Sequence, residues 1–366
     1  MGLPDIIIEF SRKAVTAIAY GSLGVVGIIL KDANNAGAMV LRGIDDIPTG
    51  ASTFNEVNTA YIERAFLGNP SKVIIYTLAE DATDYTEAFK YFATQKVNYL
   101  VGAPDITEEQ ATAMATWIKG IRTSTVRRPV AVLPNTEGDS RAVINFSVVN
   151  SSETAKIEVG EQAYTEAEYC SRIAGLLAGL DLRVSATYKA LNEVTAIPNA
   201  EDAEVDTAID AGKLVLYNDG ERIVIARGVN SLTTVSDVET EDLKKIKISA
   251  IQDLIETDIY STINGSYIGN YSNSYDNKCL LITAIKGYLR GLEATEGGKG
   301  YLKADSSNIE INVARQKQYL ESIGVDTSEM DEQAIKEANT GSYVFLKGTI
   351  SILDAIEDVE ILINKE

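Results

Sequence analysis

The residues that could do chemistry are few and far apart. Gly21, Gly24 and Gly27 recur within YGSLGVVGIIL, where a glycine-rich turn could bring backbone N–H groups close to a phosphate. A dinucleotide fingerprint needs GxGxxG running into a helix, whereas this run continues as the strand-like VVGIIL, so close turn packing is the better reading. ATEGGKG, residues 294–300, offers a lysine behind two glycines. Lys299 is followed by Gly300 instead of Ser or Thr, and no glycine stands five positions before Gly297, which favours a helix C-cap and loop. Lys244, Lys245 and Lys247 form the densest positive cluster and read as one turn of a helix over 240–260, able to dock an acidic partner or simply to face solvent. YIGNYSNSYDNK, residues 267–278, is rich enough in Tyr, Asn and Ser to bind a sugar or peptide; its other reading is an inter-helix loop that hydrogen-bonds its own backbone. The acidic runs NAEDAEVD and SDVETED read as solvated helix N-termini, and no pair of carboxylates is set up for acid–base work.

Composition narrows the field further. The chain contains no histidine, which removes Ser-His and Cys-His nucleophile activation, the imidazole base and most zinc sites. Carboxylate, lysine or tyrosine chemistry would need a site to hold it. A formal net charge of −20 argues against a nucleic-acid surface, which requires clustered Lys and Arg. Cys170 and Cys279 lie far apart in different settings, giving neither a CxxC pair nor a disulfide framework, so a reduced, cytoplasmic protein is expected. Ala14 to Leu30 is uncharged and follows Arg12 and Lys13, the outline of a signal or membrane segment. Three glycines interrupt it, Asp5 and Glu9 precede the basic pair, and it falls short of the roughly 20 residues a spanning helix needs. Two buried strands with a turn at Tyr20-Gly21-Ser22 are predicted instead.

The elements that must position these residues follow from hydrophobic period. Between about 72 and 150, KVIIYTLA, TDYTEAFKYFATQ, VNYLVGAPD, TEEQATAMATWIKGIRT, RPVAVLPN and RAVINFSVV alternate strand and helix, a βαβαβ pattern implying a largely parallel sheet with helices on its faces. Asp105 or Thr107 starts the helix that carries Glu108 and Glu109. AYTEAEYCSRIAGLLAGL predicts a further helix with Cys170, Ile173, Leu176 and Leu177 on one face, making Cys170 a small core residue. Asp219-Gly220 in LVLYNDGERIVIARG is a hairpin signal opening a second region. That region continues with helices over 240–260 and 276–295, two more at INVARQKQYLESIG and MDEQAIKEAN, and a terminal strand pair, VFLKGTISIL and VEILIN. Both chain ends pose one question. Ile6, Ile7 and Ile8 near the start, and Val359, Ile361, Leu362 and Ile363 near the end, read as strands without a neighbour in sequence to satisfy their backbone groups.

RIVIARGVNSLTT (222–234), KKIKISAIQDLIETDI (244–259), YIGNYSNSYDNKCLLITAIKGYLRGL (267–292) and VFLKGTISILDAIEDVEILI (344–363) resemble the tail sheath proteins of contractile injection systems: myophage tails, defective prophages and R-type bacteriocins. GLPDIIIEFSRKAVTAIAYGSLGVVGIILKD resembles the start of compact members of that family. The resemblance implies an α/β fold, α+β overall: an N-terminal arm over 1–20, an outer α/β domain with a mixed sheet over about 21–200, an inner α+β domain over 201–353 and a C-terminal arm over 354–366. It further implies that both arms are strands donated to neighbouring subunits by β-augmentation, completing the inner domain's sheet. The implied partners are other sheath subunits, an inner tail tube protein, a baseplate and a tail terminator, with no nucleic acid and no membrane insertion. No cofactor, metal or catalytic residue is implied. The tube contact is expected at Lys244, Lys245 and Lys247, with Lys278, Lys286 and Arg290 as the second candidate set. Assembly in the bacterial cytoplasm would precede residence in a virion tail or a released bacteriocin particle. The competing readings are an α/β nucleotide-binding protein or enzyme using the 72–150 sheet, and a carbohydrate-binding protein using the Tyr/Asn loop.

Overall fold

Strands such as VVGIILK and KVIIYTL are apolar on both faces, which only a sheet covered on both sides can use. The computed structural model describes residues 24–50, 53–152, 154–294 and 300–363; Ile6, Ile7, Ile8 and the expected turn at Tyr20-Gly21-Ser22 lie outside them. Two compact units emerge, one of Ser22–Asp253 with Asp354–Glu366, the other built on Leu254–Leu353.

The first unit runs β1 (Val25–Lys31), β2 (Gly37–Leu41), α1 (Glu56–Phe66), β3 (Lys72–Leu78), α2 (Thr86–Phe92), β4 (Tyr99–Val101), α3 (Glu108–Ser124), β5 (Val130–Pro134) and β6 (Val143–Ser147). A small hairpin of β7 (Ile157–Val159) and β8 (Gln162–Tyr164) follows, then α4 (Glu166–Gly179), α5 (Asp202–Asp210), β9 (Lys213–Asn218) and β10 (Ile223–Ile225). Eight strands form one mixed sheet in the order β10-β9-β6-β5-β4-β1-β3-β2, parallel from β9 to β3 with an antiparallel strand at each edge. Alternation along each strand feeds two cores. Val26, Ile28, Leu30, Val73 and Ile75 join the α1 and α4 side, and Val25, Ile29, Ile74 and Leu100 join the α2 and α3 side.

Local signals explain the helix starts. Thr107 and Thr165 each close a reciprocal capping box, with Gln110 and Glu168 respectively, so α3 and α4 begin where their threonines place them. Cys170, Ile173, Leu176 and Leu177 are buried as expected, but so is every residue from 169 to 178, because α4 is a central helix and not a surface one. The Asp219-Gly220 turn forms with Gly220 at φ 92°. Its hairpin hydrogen-bonds to β6 through β9, so it belongs with this sheet and not with the region that follows.

Where α1 meets α4, backbone touches backbone. A Cβ added at Gly175 would lie 2.0 Å from the Ala65 carbonyl oxygen, and one at Gly179 1.7 Å from that of Gly68. Neither obstacle is a flexible side chain. Gly175→Ala is therefore expected to destabilise the protein by about 3 kcal/mol, the upper end for overpacking, read as a lower urea midpoint at an unchanged m-value.

The second unit contains the later part of α6 (Ile246–Thr262), then α7 (Tyr275–Leu292), β11 (Asn308–Ile311), α8 (Val313–Ser322), α9 (Glu332–Glu337) and β12 (Leu346–Thr349). α7 buries Leu281, Ala284, Ile285, Tyr288, Leu289 and Leu292 along one face, and the Tyr288 hydroxyl donates to Asp258 at 3.0 Å. β11 and β12 make a two-stranded antiparallel sheet.

One expectation is corrected here. The helix predicted over 240–260 starts at Ile246: Glu241–Lys244 is a 3-10 turn and Lys245 is extended, at φ −80° and ψ 126°. The cause is competition for backbone groups, since Asn230 N–H donates to the Lys244 carbonyl, the Asn230 side-chain amide to that of Leu243, and Ile246 N–H to that of Gly228. The segment VEILIN, expected to pair only with a neighbouring subunit, is unpaired over residues 359–363 among the described residues, which leaves that expectation untested in the single chain.

Candidate assembly site

Up to residue 358 the C-terminal segment is held through its carboxylates, although Ile356 between them is 89% exposed. Three carboxylates are tied to the chain's own first unit. Lys245 Nζ bonds Asp354 and lies 3.4 Å from Glu357 Oε2. Glu357 Oε1 also accepts from Ser185 Oγ and Thr187 Oγ1, both at 2.7 Å, and its side chain is only 5% exposed. Arg227 bonds Asp358. Beyond Asp358 the segment is apolar and bare, with side chains between 69% (Val359) and 86% (Leu362) exposed, and Ile361 and Ile363 in between.

The receiving residues reach this place from separate elements. Ser185 and Thr187 sit in the loop after α4, with the Gly228 N–H donating to Thr187 Oγ1 at 2.9 Å, and Arg227 follows β10. Lys245 is exposed to the tail because its backbone is held straight against 228–230. Burial works to lower the Lys245 ammonium, but the Asp354 hydrogen bond and the charges of Glu357 and Asp354 outweigh it and raise its pKa. Lys247 is buried, and mainly for that reason its pKa falls, with Lys245 adding to the fall and Asp354 and Glu357 opposing it. Sequence reasoning missed Ser185, Thr187 and Arg227. Their tail partners lie 131 to 172 residues away, so no local pattern in the sequence joins them.

The six cations expected to face a tube are thus not equivalent. Lys245 is committed to the tail and Lys247 is buried. Lys278 is buried at the end of α9, its Nζ 3.4 Å from the Lys336 carbonyl and 3.5 Å from that of Ala338, and desolvation lowers its pKa. Lys244 pairs with Glu241 at 2.8 Å. Lys286, half-buried, and Arg290, exposed, share a face of α7 at helical spacing.

The other candidate regions have local uses. In a sheet of this order the crevice for a nucleotide would open at the carboxyl ends of β1 and β4, where the connections diverge. Those ends are filled. Asp32 accepts from Asn34 N–H, Asn55 N–H and the Asn58 amide at 2.8–3.1 Å; burial raises its carboxyl, but these donations together outweigh it and hold it below the usual range. Lys31 pairs with Asp105 at 2.9 Å, and the Tyr61 hydroxyl donates to the Gly102 carbonyl. In the Tyr/Asn loop the Asn273 amide donates to Thr340 Oγ1 and to the Gly341 and Tyr343 carbonyls, while the Asn277 amide donates to that of Ser272. Among the described residues no three His, Cys, Asp or Glu side chains come together to hold a metal, and no helix is long and apolar enough to cross a membrane.

The fold is shared with solved sheath structures. The sheath tail protein of Desulfitobacterium hafniense superposes with a TM-score of 0.67 at 16% identity, over 80% of this chain and 91% of that one. The sheath tail protein of Listeria innocua gives 0.66 at 13% identity, over 93% and 98%. A chain of the anti-feeding prophage baseplate gives 0.66 at 13%, over 100% and 99%. This is the fold of solved sheath tail proteins. In sequence, a family model described as the phage tail sheath protein central domain matches residues 79–231, and the tail sheath protein of Clostridium phage phiCD119 is 37% identical over 371 residues, spanning 99% of each chain. The chain belongs to the phage tail sheath protein family.

Proposed function

We propose that this protein is a structural subunit that polymerises helically around an inner tail tube and contracts to drive the tube through a cell envelope, with the baseplate and tail terminator as further partners. The bare, largely apolar run at residues 359–363 carries this reading: a segment with no backbone partner among the described residues and four exposed aliphatic side chains can add as a strand to another molecule's sheet edge. The baseplate assembly in which one structural relative was solved supports a sheath built of many copies. Such copies join through head-to-tail contacts that do not close into a ring, and contraction rearranges packed subunits without a nucleotide. Assembly would take place in the bacterial cytoplasm and the product would reside in a virion tail or a bacteriocin particle. Negative-stain microscopy of the purified chain is expected to show striated tubes; a small discrete oligomer at high protein concentration would overturn the reading.

Strand pairing also predicts a face preference. Val359, Ile361 and Ile363 alternate with Glu360 and Leu362, so the odd positions share one face. Ile361→Asp is expected to raise the critical concentration for tube formation by a hundredfold or more, since burying an unpaired carboxylate costs several kcal/mol, whereas Glu360→Lys shifts it about twofold. Because Ile361 is exposed in the single chain, both variants keep the wild-type melting temperature. Equal sedimentation of the two variants would contradict strand addition.

A further inference from the structure

We infer that residues 354–358 form a carboxylate clasp that fastens the root of the tail to its own subunit and thereby presents residues 359–363 to a second copy of this chain. The inference rests on the assembly reading but adds a part to it: an anchored root distinct from a donated tip. Three observations carry it. The anchoring groups are consecutive in space along the tail, Asp354 to Lys245, Glu357 to Lys245, Ser185 and Thr187, and Asp358 to Arg227. Their partners come from three separate stretches of the first unit, so this is a receiving surface and not a local turn. The last bonded side chain is Asp358: Glu357 is nearly covered, while Val359, Ile361, Leu362 and Ile363, like Ile356 between the anchoring carboxylates, face solvent.

The physical consequence is a shorter leash. A tail loose from residue 354 would sample a wide volume, and capture of its tip by a neighbour would have to fix all of it. A tail fixed through Asp358 leaves only the tip to order, which raises its effective concentration at a sheet edge in reach and constrains its direction. The contacts are polar and partly exposed, so salt weakens them.

Two measurements separate the clasp from the sheath reading. The first uses the unassembled chain and an endoprotease that cuts after glutamate. Wild type is expected to be cut after the exposed Glu360 well before the covered Glu357, with the released peptides identified by mass spectrometry. Lys245→Gln with Arg227→Gln should speed cutting after Glu357 relative to Glu360, as should the tail-side pair Asp354→Asn with Asp358→Asn, which leaves every residue of the folded body in place; Ser185 and Thr187 still hold Glu357, so the two sites draw closer without becoming equal. Equal cutting at both sites in wild type would overturn the clasp. The second measures the critical concentration for tubes by sedimentation, where either pair of substitutions is expected to raise it roughly tenfold at low salt, an effect that shrinks at 0.5 M salt (about a 4 Å screening length). If wild type builds tubes and both variant pairs build them at the same concentration, the clasp plays no part in assembly although the sheath reading stands. If wild type builds no tubes, the sheath reading fails while the protease result still decides whether the clasp exists.

Discussion

A chain ending at Asp358 is expected to fold as the full-length protein does and to form no tubes. The residues removed carry Val359, Ile361, Leu362 and Ile363, all of them exposed in the single chain, so their loss takes nothing from either core. The unfolding midpoint should stay within about 0.5 kcal/mol of wild type, as for other exposed positions. Assembly should respond very differently. Each aliphatic side chain buried against a neighbour contributes about 1.5–3 kcal/mol, and the backbone ladder supplies the register that holds them there. Losing the whole strand therefore raises the critical concentration by more than about a hundredfold, beyond what a purified protein reaches. Sedimentation velocity and microscopy on the truncated chain measure this directly. Tubes of normal appearance from the truncated chain would mean that subunits are joined by other surfaces and that the exposed run has another purpose.

Much of the first unit was legible because its signals are local. Strands buried on both faces must be continuous aliphatic runs, and KVIIYTL, YLV and VAVLP are such runs. The helices between them announce their starts through Thr107 and Thr165, whose side chains do the capping that the sequence pattern describes. What sequence could not supply was neighbourhood. The hairpin at Asp219-Gly220 is evident in the fifteen residues LVLYNDGERIVIARG, but that its first strand pairs with β6 depends on a parallel contact formed across α4 and α5. Likewise the clean helical period from 240 onward concealed the pull of residues 228–230, which straightens the backbone at Lys245 and delays the helix to Ile246.

The candidate site shows the same division. The apolar tail and its lack of a sequential partner were plain from residue types, and the structure leaves it bare. The lysine cluster was misleading because adjacency in sequence suggested one shared face. The three go separate ways: Lys244 to Glu241, Lys245 to the tail carboxylates and Lys247 into the interior. For the tube contact proposed above, Lys286 and Arg290 are the better-presented candidates, while reversing Lys245 would release the tail root as well as change surface charge. A loss of assembly in that variant would therefore not by itself report on a tube.

The largest single-residue loss of stability is expected at Asp253. Its carboxylate takes a two-pronged hydrogen bond from Arg122, Nη1 to Oδ2 and Nη2 to Oδ1 at 2.7 Å each, with the two side chains 7% and 10% exposed, and Arg141 Nη1 lies 3.8 Å from Oδ1. The pair ties α3, which covers one face of the sheet, to the first turns of α6. Asp253→Asn keeps the shape and removes the charge, leaving Arg122 buried beside Arg141 with no anion at that position. Breaking a buried pair in this way costs about 3–5 kcal/mol, most of it the penalty of the stranded cation and not the strength of the bond itself. Arg122→Met strands the carboxylate less severely, because Arg141 remains near Asp253. Arg122→Met with Asp253→Leu removes both charges and fills their volume with apolar groups, so it should recover more than half of the loss seen in Asp253→Asn. Urea unfolding of the wild type, Asp253→Asn, Arg122→Met, Asp253→Leu and the double variant checks this, the last three closing the cycle. Losses that simply add would show that the two side chains act independently and that the fork contributes only packing.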